Sequence, residues 1–165
     1  MTLAVRSAQP ADAALIYGLI RQLAEYEKLL HAVDATEADI AAALFGPKPR
    51  VFCDIAEADG EPVGLALWFY NFSTFRGRAG IYLEDLFVAP SARGQGAGRA
   101  LMAALARRCV EEGLARMEWA VLDWNAPAIG VYDRLGAEAM DEWTIRRLSG
   151  DALAALAADA KEAAP

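Results

Sequence analysis

Apolar side chains at Leu15, Ile16, Leu19, Ile20 and Leu23 recur at helical spacing behind Pro10 and Asp12, which predicts a helix opening at that pair. The stripe runs out near Tyr26-Glu27-Lys28-Leu29, and residues 3–6 ahead of it read as a first strand. Thr36-Glu37-Ala38-Asp39 combines a capping threonine with an acidic first turn, so a second helix starts there and stops before Gly46-Pro47. The pattern then changes to strands. Residues 51–58 and 63–72 flank Asp59-Gly60, a tight-turn dipeptide, and form a predicted hairpin. A polar loop over 73–80 leads to a strand over 81–88, which Pro90 stops. Leu101, Met102, Leu105, Cys109 and Val110 mark another helix, closed by Gly113. Residues 117–122 read as a strand. Asn125 can cap a helix with Pro127 in its first turn, ending at Leu135-Gly136. Residues 137–148 read as a final strand region, and Ser149 as the cap of an alanine-rich helix whose end, about 154–165, is a helical or frayed tail. With no repeat and no linker, residues 1–165 read as a single α/β (α+β) domain, a mixed sheet flanked by helices.

Composition narrows the function classes. The chain has 165 residues, is 56% hydrophobic and 24% charged, and carries a formal net charge of -7. Such a chain buries a real core. An acidic balance disfavours nucleic acid and anionic membranes as partners and suits a cationic one. No apolar run reaches the length of a membrane-spanning helix, and the N-terminus has no signal-peptide pattern. Cys53 and Cys109 stand alone in apolar settings, as buried thiols of a reducing, cytoplasmic compartment do. His31 has no Cys or second His near it, so no metal is expected.

The chemistry concentrates where Tyr82-Leu83-Glu84-Asp85-Leu86-Phe87-Val88 runs into Arg93-Gly94-Gln95-Gly96-Ala97-Gly98-Arg99. A strand enters a glycine turn, and the turn opens a helix. Glycine admits positive φ and close approach, and first-turn N–H groups lack helical partners. With the helix dipole they make an anion site suited to a pyrophosphate, to which Arg93 and Arg99 can add charge. No Gly-Lys-Ser/Thr follows, so this is not a nucleotide-triphosphate loop, and the spacing is wrong for a dinucleotide fingerprint. The alternative is a plain strand-to-helix turn.

Arg93-x-x-Gly96-x-Gly98 after a strand ending in Val-x-Pro resembles the acetyl-CoA pyrophosphate loop of the GNAT N-acetyltransferases. Asp123-Trp124-Asn125-Ala126-Pro127-Ala128-Ile129-Gly130-Val131-Tyr132 resembles the Asn-x-x-Ala/Ser-x-x-x-Tyr motif of the same fold. Leu23-Ala24-Glu25-Tyr26-Glu27, Tyr82 to Val88 and the Asp-Trp-Asn segment narrow the likeness to the spermidine/spermine (diamine) N-acetyltransferase subfamily. The resemblance implies a GNAT fold with a mostly antiparallel central sheet, and acetyl-CoA as co-substrate. It implies cofactor contacts along Leu86, Phe87 and Val88, the glycine turn from Arg93 to Arg99, and Asn125, Ala126, Pro127 and Ala128. It also implies a homodimer.

A primary amine has a pKa of about 10.4, so freeing its lone pair at pH 7 costs roughly 4.6 kcal/mol. A carboxylate can take that proton, directly or through water. The resemblance places this role on Glu84; the alternative is a solvated strand carboxylate. In a regular strand Asp85 points to the other face, and a bulge would re-aim one of the two. The departing thiolate needs a proton, which a tyrosine hydroxyl can give, and the resemblance puts that on Tyr132; the alternative is a core aromatic sharing a helix face with Ala128 and Leu135. The developing oxyanion is expected at a backbone N–H near Val88. Asn125 is a helix cap, with or without a contact to the cofactor. Substrate contacts fall to Tyr26 and Glu27, to Glu84 and Asp85, and to Glu118, Trp119 and Ala120. Carboxylates at Glu27, Glu84 and Glu118 suit a small cationic amine, although Glu27 can equally pair with Lys28 or a nearby arginine.

The acceptor expected from this kinship is a polyamine or diamine. Met117-Glu118-Trp119-Ala120-Val121 is bulkier and more acidic than in the polyamine enzymes, which keeps a lysine-like amino acid or a protein amine open as acceptor. A non-catalytic acetyl-CoA-binding scaffold is the alternative from another class. Trp68, Phe69, Tyr70, Phe72 and Phe75 exceed what one small face needs and read either as core strand or as a dimer interface.

Overall fold

The computed structural model describes residues 2–160. They fall into two compact units that divide after Ala120. The first unit holds strands β1 (Leu3–Ser7), β2 (Phe52–Ala58), β3 (Glu61–Ser73), β4 (Arg78–Val88) and β5 (Met117–Trp119). Its helices are α1 (Ala13–Tyr26), α2 (Glu37–Phe45) and α3 (Ala97–Glu111). The strands form one sheet in the order β1-β2-β3-β4-β5. The first three pairings are antiparallel and the last is parallel, so the sheet is mixed and mostly antiparallel, as expected.

Local chemistry explains the elements. Asp59 (φ 50°) and Gly60 (φ 86°) both take positive φ, the turn geometry that matches the twist of a two-residue hairpin. Thr36 Oγ1 accepts from the Asp39 N–H at 3.2 Å, and Asp39 returns a bond to the Thr36 N–H, a reciprocal cap that starts α2. Gly113 (φ 66°) lies just past the end of α3.

The register sorts side chains between two faces. Ile55, Cys53, Leu65, Leu67 and Phe87 pack with Ile16 and Leu19 of α1 and Leu44 of α2. Trp68 faces α3, whose Arg108 guanidinium sits 4.8 Å from its ring. Both cysteines are buried, as expected, and burial raises both thiols, Cys53 to about 12. Of the aromatic strand, Trp68 is core, Phe69 is half-buried, and Tyr70, Phe72 and Phe75 are exposed.

The second unit carries α4 (Ala126–Arg134) and α5 (Gly150–Ala158). Asn125 caps α4, its Oδ1 accepting from the Ala128 N–H at 3.4 Å, and Pro127 stands in the first turn. Two expectations need correcting. The fifth strand stops at Trp119 rather than reaching residue 122, and residues 137–148 hold no strand. A strand exists only where its N–H and C=O groups find a partner edge, and among the described residues the second unit contains no strand to supply one. Ser149 precedes α5 without a side-chain capping bond. The far end of the predicted tail, residues 161–165, lies outside the described residues.

Candidate active site

The β3–β4 ladder slips at one place. Trp68 pairs with Leu83, but Leu67 pairs with Asp85, which leaves Glu84 as an extra residue on β4. Paired residues share a face, so Asp85 joins Leu67 and Phe87 on the α1 side; unbroken alternation would send it to the α3 side with Leu83. The bulge thus gathers acids that a regular strand would separate. Asp85 is buried enough to push its carboxyl up to about 6, and Glu84 and Glu27 add like-charge repulsion. Burial also raises Glu27, which follows the last residue of α1. Tyr82, on the same face, is raised by burial and then by Glu84 and Glu118. Glu84 itself is exposed, at the rim of this group.

Just beyond lies the glycine turn. Gly94 (φ 75°) and Gly96 (φ 93°) occupy the left-handed region, and Gly96 is the residue that caps α3. A glycine cap has no side chain to occupy the first-turn N–H groups, so those of Ala97, Gly98 and Arg99 stay available to an anion. Gly98 packs against Val88, where an added Cβ would meet Cγ2 at 3.7 Å. The Gln95 side chain folds back to the Ser91 carbonyl at 3.2 Å, so at this position the backbone is what remains to face a ligand. These features fit the pyrophosphate of acetyl-CoA. The β4–β5 ladder runs only from Ile81 to Leu83, so Leu86 to Val88 extend beyond it, and this edge suits an extended ligand pairing as a strand.

Arg93 takes a position that sequence reasoning missed. Its Nε donates to the Val88 carbonyl at 3.0 Å, and its guanidinium lies 4.7 Å from the Tyr26 ring and 5.6 Å from that of Phe87. It ties the start of the turn to the end of α1, next to Glu27. Glu118, expected to face substrate, is held by its neighbours. Its Oε1 is 3.0 Å from Arg116 Nε, and its Oε2 accepts from Asn71 Nδ2 at 2.7 Å. Trp119 is half-buried in β5 and Ala120, at the end of the unit, is exposed. Asn71, a polar residue within an aromatic strand, belongs to this group, and sequence reasoning passed it over.

In the second unit Asn125 is buried and Tyr132 is half-buried on α4, with its carbonyl accepting from Leu135 and Ala137. In the first unit a cavity of about 210 Å³ lies between Ser7, Phe52, Asp54, Trp68 and Arg108. Its buried Asp54 already accepts from Ser7 Oγ and Trp68 Nε1, which makes it part of the packing. Among the described residues no His, Cys, Asp and Glu side chains are grouped to hold a metal, and no helix is long and apolar enough to cross a membrane.

Comparison with known proteins agrees with this geometry. Residues 16–137 match the model of the acetyltransferase (GNAT) family. The chain is 40% identical to a thialysine N-epsilon-acetyltransferase of Bos taurus, over 93% of this chain and 96% of the relative. It is 32% identical to the L-ornithine N5-acetyltransferase NATA1 of Arabidopsis thaliana, over 92% and 86%. A spermidine/spermine N(1)-acetyltransferase-like protein 1 of Homo sapiens is 30% identical over 81% of this chain and 20% of that longer protein. Among solved structures, an integron cassette protein from V. cholerae superposes with a TM-score of 0.79 at 27% identity, over 95% of this chain and 98% of that one. The chain therefore belongs to the GNAT acetyltransferase family, among relatives of the spermidine/spermine N-acetyltransferases, and is an N-acetyltransferase.

Proposed function

We propose that this enzyme moves an acetyl group from acetyl-CoA to the terminal side-chain amine of a small lysine- or ornithine-like amino acid. The observation that carries the reading is the bulge at Glu84, which sets Glu84, Asp85 and Glu27 around one point beside the glycine turn. Three carboxylates there suit a primary ammonium and offer a base to take its proton. Relatives named for thialysine and ornithine favour an amino acid as acceptor. A diamine or polyamine is the second reading, favoured by the same acids and by the likeness to a spermidine/spermine-type protein.

In this mechanism backbone N–H groups from Gly94 to Arg99 hold the pyrophosphate of acetyl-CoA, and Leu86 to Val88 align its arm. The acetyl thioester supplies the electrophile. Asp85 and Glu27 hold the incoming ammonium, Glu84 takes its proton, and the N–H near Val88 receives the developing negative charge. Tyr132 returns a proton to the departing thiolate, while Asn125 holds the start of α4. Residues 16–137, matched as one family unit, support a single catalytic domain. Exposed Phe72 and Phe75 on the β3–β4 hairpin support a homodimer, and the free thiols support a cytoplasmic setting.

Thiol release from acetyl-CoA with a panel of amines tests the reading. Turnover of L-ornithine or L-lysine analogues is expected to exceed that of spermidine. Turnover restricted to polyamines would favour the second reading, and none on any small amine would refute both.

A further inference from the structure

The α1 side of the sheet continues past the acids into a second polar group. Tyr82 pairs with Phe69 on one side and Glu118 on the other, and Gly80 pairs with Asn71. Arg116 stands two residues before Glu118, so its side chain leaves the same face. Around these positions Arg116 Nε meets Glu118 Oε1 at 3.0 Å, Asn71 Nδ2 donates to Glu118 Oε2 at 2.7 Å, and Arg116 Nη1 donates to Ser73 Oγ at 3.3 Å. Gly80 makes room for the group. A Cβ there would lie 2.7 Å from Asn71 Oδ1 and 2.7 Å from the Arg116 carbonyl oxygen, closer than real contacts allow. Arg116 and Glu118 both remain partly open to solvent, at 47% and 34% of their side chains.

We propose that Arg116, Glu118 and Asn71 form a subsite for the head group of an α-amino acid, and that this subsite sets acceptor specificity. The inference rests on the reading of the acids at Glu84 as the amine end of the acceptor slot. An amino-acid head group carries a carboxylate and an ammonium side by side. Arg116 beside Glu118 presents the complementary pair: the guanidinium, with five donors in a planar fork, takes the carboxylate, and Glu118 takes the ammonium. Asn71 steadies Glu118 and offers its amide to either group. The spacing agrees. Tyr82, opposite Glu118, pairs with Phe69 and Asp85 pairs with Leu67, so Glu118 and Asp85 lie two ladder steps apart, about 7 Å along a strand. The α-carbon and side-chain amine of an ornithine- or lysine-like amino acid are roughly 5–6 Å apart when extended, with C–C bonds of about 1.5 Å. A diamine of the same length has only an ammonium at that end. It would gain Glu118 but would bring a second cation against Arg116, so the pair selects against it as well as for the amino acid.

The test compares kcat/KM for L-ornithine with that for 1,4-diaminobutane, which differs by the carboxylate alone. Wild type is expected to favour L-ornithine. In Arg116→Gln the ornithine-to-diaminobutane ratio should fall at least tenfold, and Arg116→Lys should restore part of it. Asn71→Asp, which sets a second carboxylate beside Glu118 and so favours the purely cationic diamine, should also lower the ratio and gives a second reading if Arg116→Gln folds poorly. A merely structural ion pair would reduce both substrates together, so an unchanged ratio in Arg116→Gln or Asn71→Asp overturns the proposal. Calorimetric binding of L-ornithine separates this from the acetyl-transfer reading. Binding that depends on Arg116 without turnover would refute ornithine as acceptor and keep the subsite, whereas binding independent of Arg116 would refute the subsite.

Discussion

Asp85, one of the acids proposed to hold the acceptor, carries a clear consequence for stability. Burial, then Glu84 and Glu27, lift it from 3.8 to about 6. A group with a raised folded-state pKa binds its proton more tightly in the folded protein. It therefore supports the fold below about pH 4 and loses that contribution as pH rises through about 6. At pH 8 the ionised Asp85 costs about 2 kcal/mol, taken from a shift of about two units with a discount for solvent screening. Asp85→Asn should thus raise stability in urea at pH 8 by about that amount, with the gain shrinking toward pH 4. The same variant should lose amine kcat/KM, because the ammonium loses its partner. A stability gain that stays constant across that pH range would show that Asp85 is not the titrating group. Tyr132 makes a separate prediction on kinetics. If it protonates the thiolate, Tyr132→Phe lowers kcat by about 10²-fold, at the lower end of general-acid effects, with the Kd for acetyl-CoA near wild type. Unchanged kcat would leave Tyr132 as a half-buried aromatic of α4.

At the scale of elements, most of what positions the site was readable from the chain. Pro90, Gly96 and Asn125 announce a strand end, a helix start and a helix cap, since each meets a backbone need that few residues satisfy. The bulge was not readable, because Glu84-Asp85 in a row fits a regular strand and a slipped one equally. It is fixed by pairing with Trp68 and Leu67, residues far away in sequence. The contacts of Arg93 with Tyr26 and of Arg116 with Glu118 and Asn71 were invisible for the same reason. Residues 137–148 failed in the opposite direction, since alternating apolar positions such as Trp143 and Ile145 satisfy a strand pattern without supplying a partner edge. The glycine turn makes the element-level prediction. Gly96 holds φ 93°, and a Cβ there would touch Leu3 Cδ1 at 3.4 Å. Gly96→Ala should strain the start of α3 by about 1–2 kcal/mol, since left-handed backbone is costly for any residue with a Cβ. The displaced N–H groups should raise the KM for acetyl-CoA severalfold while the KM for amine changes little. A rise in the amine KM alone would place the acceptor, not the cofactor, at this turn.

Across the whole chain the net charge is -7, and the proposed function divides part of it between two places. In the first unit the acids proposed to meet the acceptor are Glu27, Glu84, Asp85 and Glu118, while Arg93 and Arg99 flank the turn proposed to hold a pyrophosphate. An acidic surface of this kind attracts a cation before contact, and the attraction grows with the charge of the cation. Salt should weaken it as the Debye length shrinks from about 30 Å at 0.01 M to about 10 Å at 0.1 M. The two acceptors that test specificity also differ here, because 1,4-diaminobutane carries two positive charges at neutral pH and L-ornithine carries a net charge of one. Over that salt range kcat/KM should fall for both, with a slope on log ionic strength about twice as steep for the diamine. Stopped-time assays at saturating acetyl-CoA measure the two slopes side by side. Equal slopes would mean that each acceptor meets only its local partners, and that the surplus of acids serves solubility without steering either substrate to Glu84.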